Sequence, residues 1–320
     1  MTEDGELAFR KALANRQRNF PGQGDPRSEG GVVFPSFAPG FRIAPGASVF
    51  TIGSCFARNV ERALIAHGIE VPTAGFSAPH DEAPGQPNRI LNQYNPATML
   101  QCVRAAGRAA DDAALYPAPS GEGMIDPLLA TGSRAVTRER ALARREEINA
   151  LYATGLAASD IVVVTLGLTE TWFDREAGVH LNEAPRRGAL KAHPGRWEFR
   201  RLDIDTARAM VADLTEALDP VRRRVVLTVS PVPLQVTFSG GDAVTANCYS
   251  KAVLRVVAEE IARDRPGVDY FPSFEAVTTA GLAAYCDDHV HVRPGVVDRI
   301  VGRMVEGYVG EHARIAIATA

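Results

Sequence analysis

The sequence predicts an α/β fold, a doubly wound parallel sheet covered by helices on both faces. Three observations carry that expectation. Ile161–Leu166 (IVVVTL) and Val225–Val229 (VVLTV) are unbroken apolar, β-branched runs, the pattern of strands buried on both faces. Strand-like and helix-like segments alternate along the chain. The main apolar runs are followed directly by small or polar residues, and in open sheets of this kind sites form outside the carboxyl ends of the strands.

The first strand is Ala47–Ile52, closed by Gly53. Phe56, Val60, Leu64 and His67 then fall at helical spacing, so a helix runs from Cys55 to His67. Gly68 stops it, and Ile69–Val71 reads as the next strand. Pro96 suits the first turn of a helix over 97–108. A long helix is expected over Arg138–Leu156, ahead of the Ile161 strand. A helix over Ile204–Leu218 leads to the Val225 strand, and one over Tyr249–Ala262 leads to a short strand at Val268–Phe271. The last helix is Pro294–Tyr308. Residues 1–45, with a short helix near Glu6–Arg18, read as an arm on a domain at 46–310, and 311–320 as a tail. The stretches 75–89, 109–135 and 173–200 read as surface insertions.

Composition excludes several classes. Hydrophobic residues make up 46% of the 320 and charged residues 23%, with a formal charge of −3. That balance offers no basic footprint for nucleic acid and no pull toward an acidic membrane surface. No apolar run reaches the roughly 18–20 residues of a membrane span, and the polar N-terminus lacks a secretory pattern, so a cytoplasmic protein is expected. The four cysteines, Cys55, Cys102, Cys248 and Cys286, form no CxxC pair and are expected to be reduced thiols.

Chemistry is sought at the strand ends. Ser54 follows the first strand, Gly167-Leu-Thr169-Glu170 the Ile161 strand, and Ser230-Pro-Val-Pro233 the Val225 strand. Asp287-Asp-His-Val-His291 lies beyond the last. A serine between strand and helix is a good N-cap. The same place surrounds its hydroxyl with backbone N–H groups that can hold an oxyanion, as a nucleophile needs. Neutral His291 can take the serine proton, and Asp288, three residues earlier, can fix its tautomer. Asp287 and His289 compete for those roles. The same four residues are metal-ligand types, but no second His or Cys cluster matches them, so no metal and no cofactor is expected. Cys55 reads as a small buried thiol. Walker, dinucleotide and GxSxG signatures are absent.

The string Gly53-Ser54-Cys55-Phe56-Ala57 resembles the GSCFA family, within or beside the SGNH (GDSL-like) hydrolases. Further matches are Asn92-Gln-Tyr94-Asn95-Pro96, Thr165-Leu-Gly167-Leu-Thr169-Glu170-x-Trp172, Ser230-Pro-Val-Pro233, Ser250-Lys251 and Asp288-x-x-His291. The resemblance implies a three-layer α/β/α sandwich of flavodoxin-like type and a Ser54–His291–Asp288 triad. It places the oxyanion hole at the Ser54 N–H, an N–H near Asn92 and a polar group of the Gly167–Glu170 turn. The chain departs from the SGNH pattern twice. Leu91-Asn92-Gln93 stands where a glycine is usual, and Thr169-Glu170 where an asparagine is. Trp172 either lines the pocket or is a structural aromatic. The expected function is a serine esterase acting on an O-acyl ester of a carbohydrate or glycoconjugate. The alternatives are an acyltransferase with the same triad and a non-catalytic binding module. The implied partner is a small-molecule or carbohydrate ester substrate.

Overall fold

A computed structural model describes residues 2–44, 46–83 and 85–309. The expected tail at 311–320 lies outside them. The centre is a sheet of four parallel strands, β1 (Val49–Gly53), β2 (Ile161–Leu166), β3 (Arg224–Val229) and β4 (Val268–Tyr270), in the order β4-β3-β2-β1. Every residue of β1 and β2 is buried, as their unbroken apolar sequences require. Alternation sorts their side chains onto two faces. Phe50, Ile52, Val162, Val164 and Leu166 meet α2 (Pro96–Ala105), α3 (Arg138–Ala158), α4 (Ile204–Ala217) and α5 (Ala243–Asp264) in one core. Val49, Ile161 and Val163 meet α1 (Cys55–Ala66) and α6 (Pro294–Val309) in the other. The result is the three-layer α/β/α sandwich.

The expected strand at Ile69–Val71 shrinks to one bridge, Glu70 to Ser48. Pro72 has no N–H to extend a ladder and opens a 3₁₀ turn instead. That bridge still matters, because it places the Glu70 segment on the outer side of β1 while β2 lies on the inner side. The chain therefore reverses its direction of travel across the sheet between β1 and β2, the usual place for a site in such sheets. α5 starts six residues earlier than Tyr249, because the Asp242 carboxylate caps it through the N–H groups of Val244 (2.8 Å) and Thr245 (3.2 Å).

Two of the expected surface insertions carry sheets of their own. Glu170–Asp174 pairs antiparallel with both Val179–Leu181 and Trp197–Arg201. Tyr116–Pro117, Met124–Ile125 and Ala135–Val136 form a second small antiparallel sheet. Tyr116, Ile125, Leu181, Ala189 and Trp197 give these segments a shared core. Buried ion pairs to α3 fasten the surface segments: Arg145 holds Asp126 of the 109–135 stretch (2.7 Å), and Arg144 holds Glu82 of the 75–89 stretch (3.1 Å). A further helix, Ser273–Thr279, was not foreseen. From the N-terminal region, Val32, Phe34 and Ile43 are buried against the α1/α6 face, and Phe37 packs edge-on against Phe271 at 4.9 Å. Among the described residues no helix is long and apolar enough to cross a membrane, and no group of three or more His, Cys, Asp or Glu could hold a metal.

Candidate active site

The corner that carries Ser54 is built on Gly53. Its φ is +153°, and a Cβ there would lie 2.6 Å from Thr165 Cβ and 2.7 Å from Thr165 O, so only glycine fits. The pairing of Gly53 with Thr165 brings Ser54 level with Leu166 and Gly167 of the neighbouring strand. Ser54 is extended and 5% exposed, and its hydroxyl does not cap α1. It lies instead 3.3 Å from the Ser230 hydroxyl, which follows β3. The first N–H groups of α1 thus have no side-chain cap, and they leave a positive helix end beside Ser54. Cys55 is mostly buried. Burial pushes its thiol up, and the Ser54 hydroxyl is within hydrogen-bonding reach of its sulfur. α1 is braced from behind by the buried Arg58–Glu61 pair (2.8 Å), whose carboxylate also accepts from Thr73 (2.5 Å) and Asn88 (2.7 Å).

The Asn92–Asn95 segment is stitched to both strand ends. Gln93 N–H donates to Gly53 O (2.9 Å), and Tyr94 O accepts from Leu168 N–H (2.8 Å). A Cβ on Gly167 would sit 2.5 Å from Tyr94 O, which is why that position too is glycine. Asn182, from the small antiparallel sheet, accepts from Tyr94 N–H (2.9 Å) and donates to Asn92 O (2.8 Å). Asn95 caps α2 through Thr98 N–H (3.0 Å). The backbone donor expected near Asn92 is already engaged, since Asn92 N–H bonds Arg89 O at 2.9 Å. The Asn92 side chain is buried, and its Oδ1 has no partner among the described residues.

The Gly167–Glu170 turn differs from expectation in a similar way. Thr169 turns both its N–H (3.1 Å) and its hydroxyl (2.8 Å) to the Ser250 hydroxyl on α5, so it donates inward. The Glu170 carboxylate accepts from Thr237 Oγ1 (2.5 Å) and Phe238 N–H (3.0 Å), and it therefore anchors the 231–242 loop. Neither side chain is presented as an oxyanion donor. Gly167 instead gives its carbonyl to the buried Lys251 ammonium at 2.8 Å. Burial pulls Lys251 down to about 7, opposed by the nearby Cys55. Trp172 stands between Phe199 (5.8 Å) and Phe238 (5.2 Å) in an edge-to-face cluster, with Phe238 49% exposed. Its indole N–H is buried and unpartnered among the described residues.

The base side hangs on a turn. Asp288 Oδ2 lies 2.5 Å from His291 Nδ1, and Oδ1 accepts from the N–H groups of Val290 (2.9 Å) and His291 (3.0 Å). The His291 side chain, then those two N–H groups, hold the Asp288 carboxyl well below the usual carboxylate range. With Nδ1–H directed at Asp288, Nε2 is the nitrogen left to accept a proton. Asp287 pairs with Arg293 (3.3 Å), and His289 occupies the left-handed φ of the turn, so the structure couples Asp288 and His291 rather than their neighbours. The Tyr285–Val292 bridge closes the turn, and Tyr285 OH donates to Pro231 O (2.9 Å), next to Ser230. The turn is therefore tethered to Pro231, the chain neighbour of the residue that touches Ser54. Among the described residues no hydrogen bond joins His291 to Ser54, and the His291 side chain is 56% exposed.

Sequence reasoning gave no role to Tyr94, Lys251, Ser250 or Tyr285. Their placement depends on which strands are neighbours, which no local pattern encodes. The signals available were the family motifs that contain Tyr94 and Ser250-Lys251 and, for Ser230, its position just after a buried strand; Tyr285 carries none.

The sequence matches the GSCFA family over residues 48–304, and the chain belongs to that family. No curated protein matches it. Among solved structures it is similar to mutants of Axe2 from Geobacillus stearothermophilus. A tryptophan mutant of that acetyl-xylooligosaccharide esterase is 16% identical, with 84% of this chain and 97% of that chain covered and a TM-score of 0.34. A catalytic serine mutant of Axe2, titled an acetylxylan esterase, is also 16% identical, covering 85% and 98% with a TM-score of 0.34.

Proposed function

We propose that this chain is a serine esterase of the SGNH type that cleaves an O-acyl ester through an acyl-enzyme. The observation that carries this reading is the convergence at one sheet edge. An uncapped serine hydroxyl sits at a helix start, and an Asp–His pair with Nε2 free is tethered through Tyr285 and Pro231 to the serine's own neighbour, Ser230. Substrate binding draws the His291 imidazole onto the Ser54 hydroxyl, since catalytic hydrogen bonds of this kind often tighten only in the Michaelis complex. His291 Nε2 takes the Ser54 proton as Oγ attacks the ester carbonyl. The tetrahedral oxyanion is held by the Ser54 N–H and the Asn92 amide at the positive end of α1. His291 then passes the proton to the departing alcohol, and water repeats the sequence to release the acid.

The aromatic cluster of Trp172, Phe199 and Phe238 supports a carbohydrate or glycoconjugate ester as substrate. Its Phe238 ring is exposed and is backed by Trp172 and Phe199, an apolar surface of the kind on which the C–H side of a sugar can pack. The test is a panel of O-acetylated sugars and simple p-nitrophenyl esters given to the wild type and to Ser54→Ala. Ester cleavage that is lost in the variant is expected; equal cleavage by both would refute the assignment.

A further inference from the structure

One buried ionisable group at this edge has no part in the triad. Lys251, on α5, is 2% exposed, and its stem runs through the core side of the sheet to the Gly167 carbonyl. That bond uses one of its three donors. No carboxylate pairs with it among the described residues. Its titratable neighbour is Cys55, on α1, whose thiol burial pushes up and so keeps neutral. From the turn after β2 the Gly167 carbonyl accepts from it, and the adjacent Ser250 is committed to Thr169. A cation buried without a counter-ion raises the free energy of the resting site. It lowers that cost when negative charge appears nearby, because in a dry interior such charges interact far more strongly than in water.

We propose that Lys251 is a positioning residue of the esterase reaction, its lone buried ammonium holding the Gly167 turn and supplying the positive charge that offsets the oxyanion formed beside Ser54. The inference rests on the esterase reading above. As Ser54 Oγ bonds to the carbonyl carbon, the carbonyl π pair moves to oxygen and the serine proton passes to His291 Nε2. Lys251 keeps its three protons throughout, so the pair of opposite charges at the edge exists only while the tetrahedral species does. This is the condition under which an interaction speeds the chemical step. The ammonium is needed and burial favours its loss, so the site should work on the acid side of Lys251 titration and weaken as pH rises through about 7.

The substrate being open, the reaction of Ser54 with a fluorophosphonate is the readout. In it a P–O bond forms, fluoride leaves and negative charge builds on the phosphoryl oxygen. The second-order labelling rate is measured from pH 5.5 to 9 for the wild type, Lys251→Met and Lys251→Arg. The wild type should lose rate above about pH 7. Lys251→Arg, cationic at every pH used, should hold its rate to pH 9. Lys251→Met should label on the order of 10–100-fold more slowly at pH 6.5, with no alkaline fall. If one variant does not fold by circular dichroism, the other decides alone. A wild-type alkaline fall retained in the variants, or Lys251→Met labelling at the wild-type rate, would overturn the proposal while leaving the esterase reading intact. A wild type that neither labels at Ser54 nor cleaves any ester would overturn both.

Discussion

The two halves of the candidate site are built by opposite means. Ser54 is held by the core: Gly53 lies flush against Thr165, the Asn92–Tyr94 segment is bonded to Gly53 and Leu168, and the Arg58–Glu61 pair braces the helix that begins at Cys55. Asp288 and His291 sit about half exposed on a turn that depends on its own hydrogen bonds and on the Tyr285 tether. Ser54, the proposed nucleophile, is thus placed by packing, which admits one arrangement, and His291, the proposed base, by a short exposed turn, which has more freedom to move. A hydrolase needs its nucleophile and oxyanion donors fixed against each other, whereas the imidazole must move between the serine oxygen and the leaving group. The division of rigidity follows that requirement.

The comparison can be broken most sharply at the chemistry. Ser54→Ala should lower ester cleavage by about 10⁴-fold or more with the melting temperature unchanged to within 2 °C, since the hydroxyl caps nothing; steady-state rates and calorimetry check both. Asp288→Asn, which removes the group that selects the Nδ1–H tautomer, should cost roughly 10²–10⁴ in kcat while leaving fluorescence-detected melting almost unmoved. The opposite pattern is expected on the packed side. Gly53→Ala places a methyl on Thr165 at a φ that disfavours side chains, and should destabilise the fold by about 2–4 kcal/mol in urea titration.

Lys251 gives a pH signature of the packed half. Its folded pKa is depressed, so above about pH 7 the unfolded chain binds the extra proton, and stability from this group rises with pH until the unfolded lysine titrates. The slope is at most about 1.4 kcal/mol per pH unit. Urea midpoints should therefore increase from pH 7 to 9 in the wild type and stay flat in Lys251→Met. The smallest effect is expected from Tyr285→Phe. Losing the tether should cost no more than about 1 kcal/mol of stability, yet reduce kcat several-fold by loosening the base turn.

How much of this could be read from residues alone follows the same division. Buried strands announce themselves, because Ile161–Leu166 and Val225–Val229 must suit burial on both faces. The long helices are legible from spacing, apart from the start of α5 at Asp242, whereas the short helices Arg187–Ala192 and Ser273–Thr279 are not. Ile69–Val71 has strand composition, but Pro72 cuts the ladder short. The small antiparallel sheets are not legible because strands of two to five residues are too short to show an alternating pattern. Ser54, Asp288 and His291 stood out by residue type and place in the chain order. The tasks of Thr169, Glu170 and the Asn92 N–H did not, since a hydrogen bond's destination depends on α5 and the 231–242 loop, remote in sequence.

The central claim is that Ser54 is an activated nucleophile. Incubating the intact protein with a fluorophosphonate and mapping the modified peptide by mass spectrometry tests it most directly. One adduct, on Ser54, absent from Ser54→Ala and slowed in Asp288→Asn, is the predicted result. A folded wild type that takes no label, or takes it on a residue other than Ser54, would contradict the account.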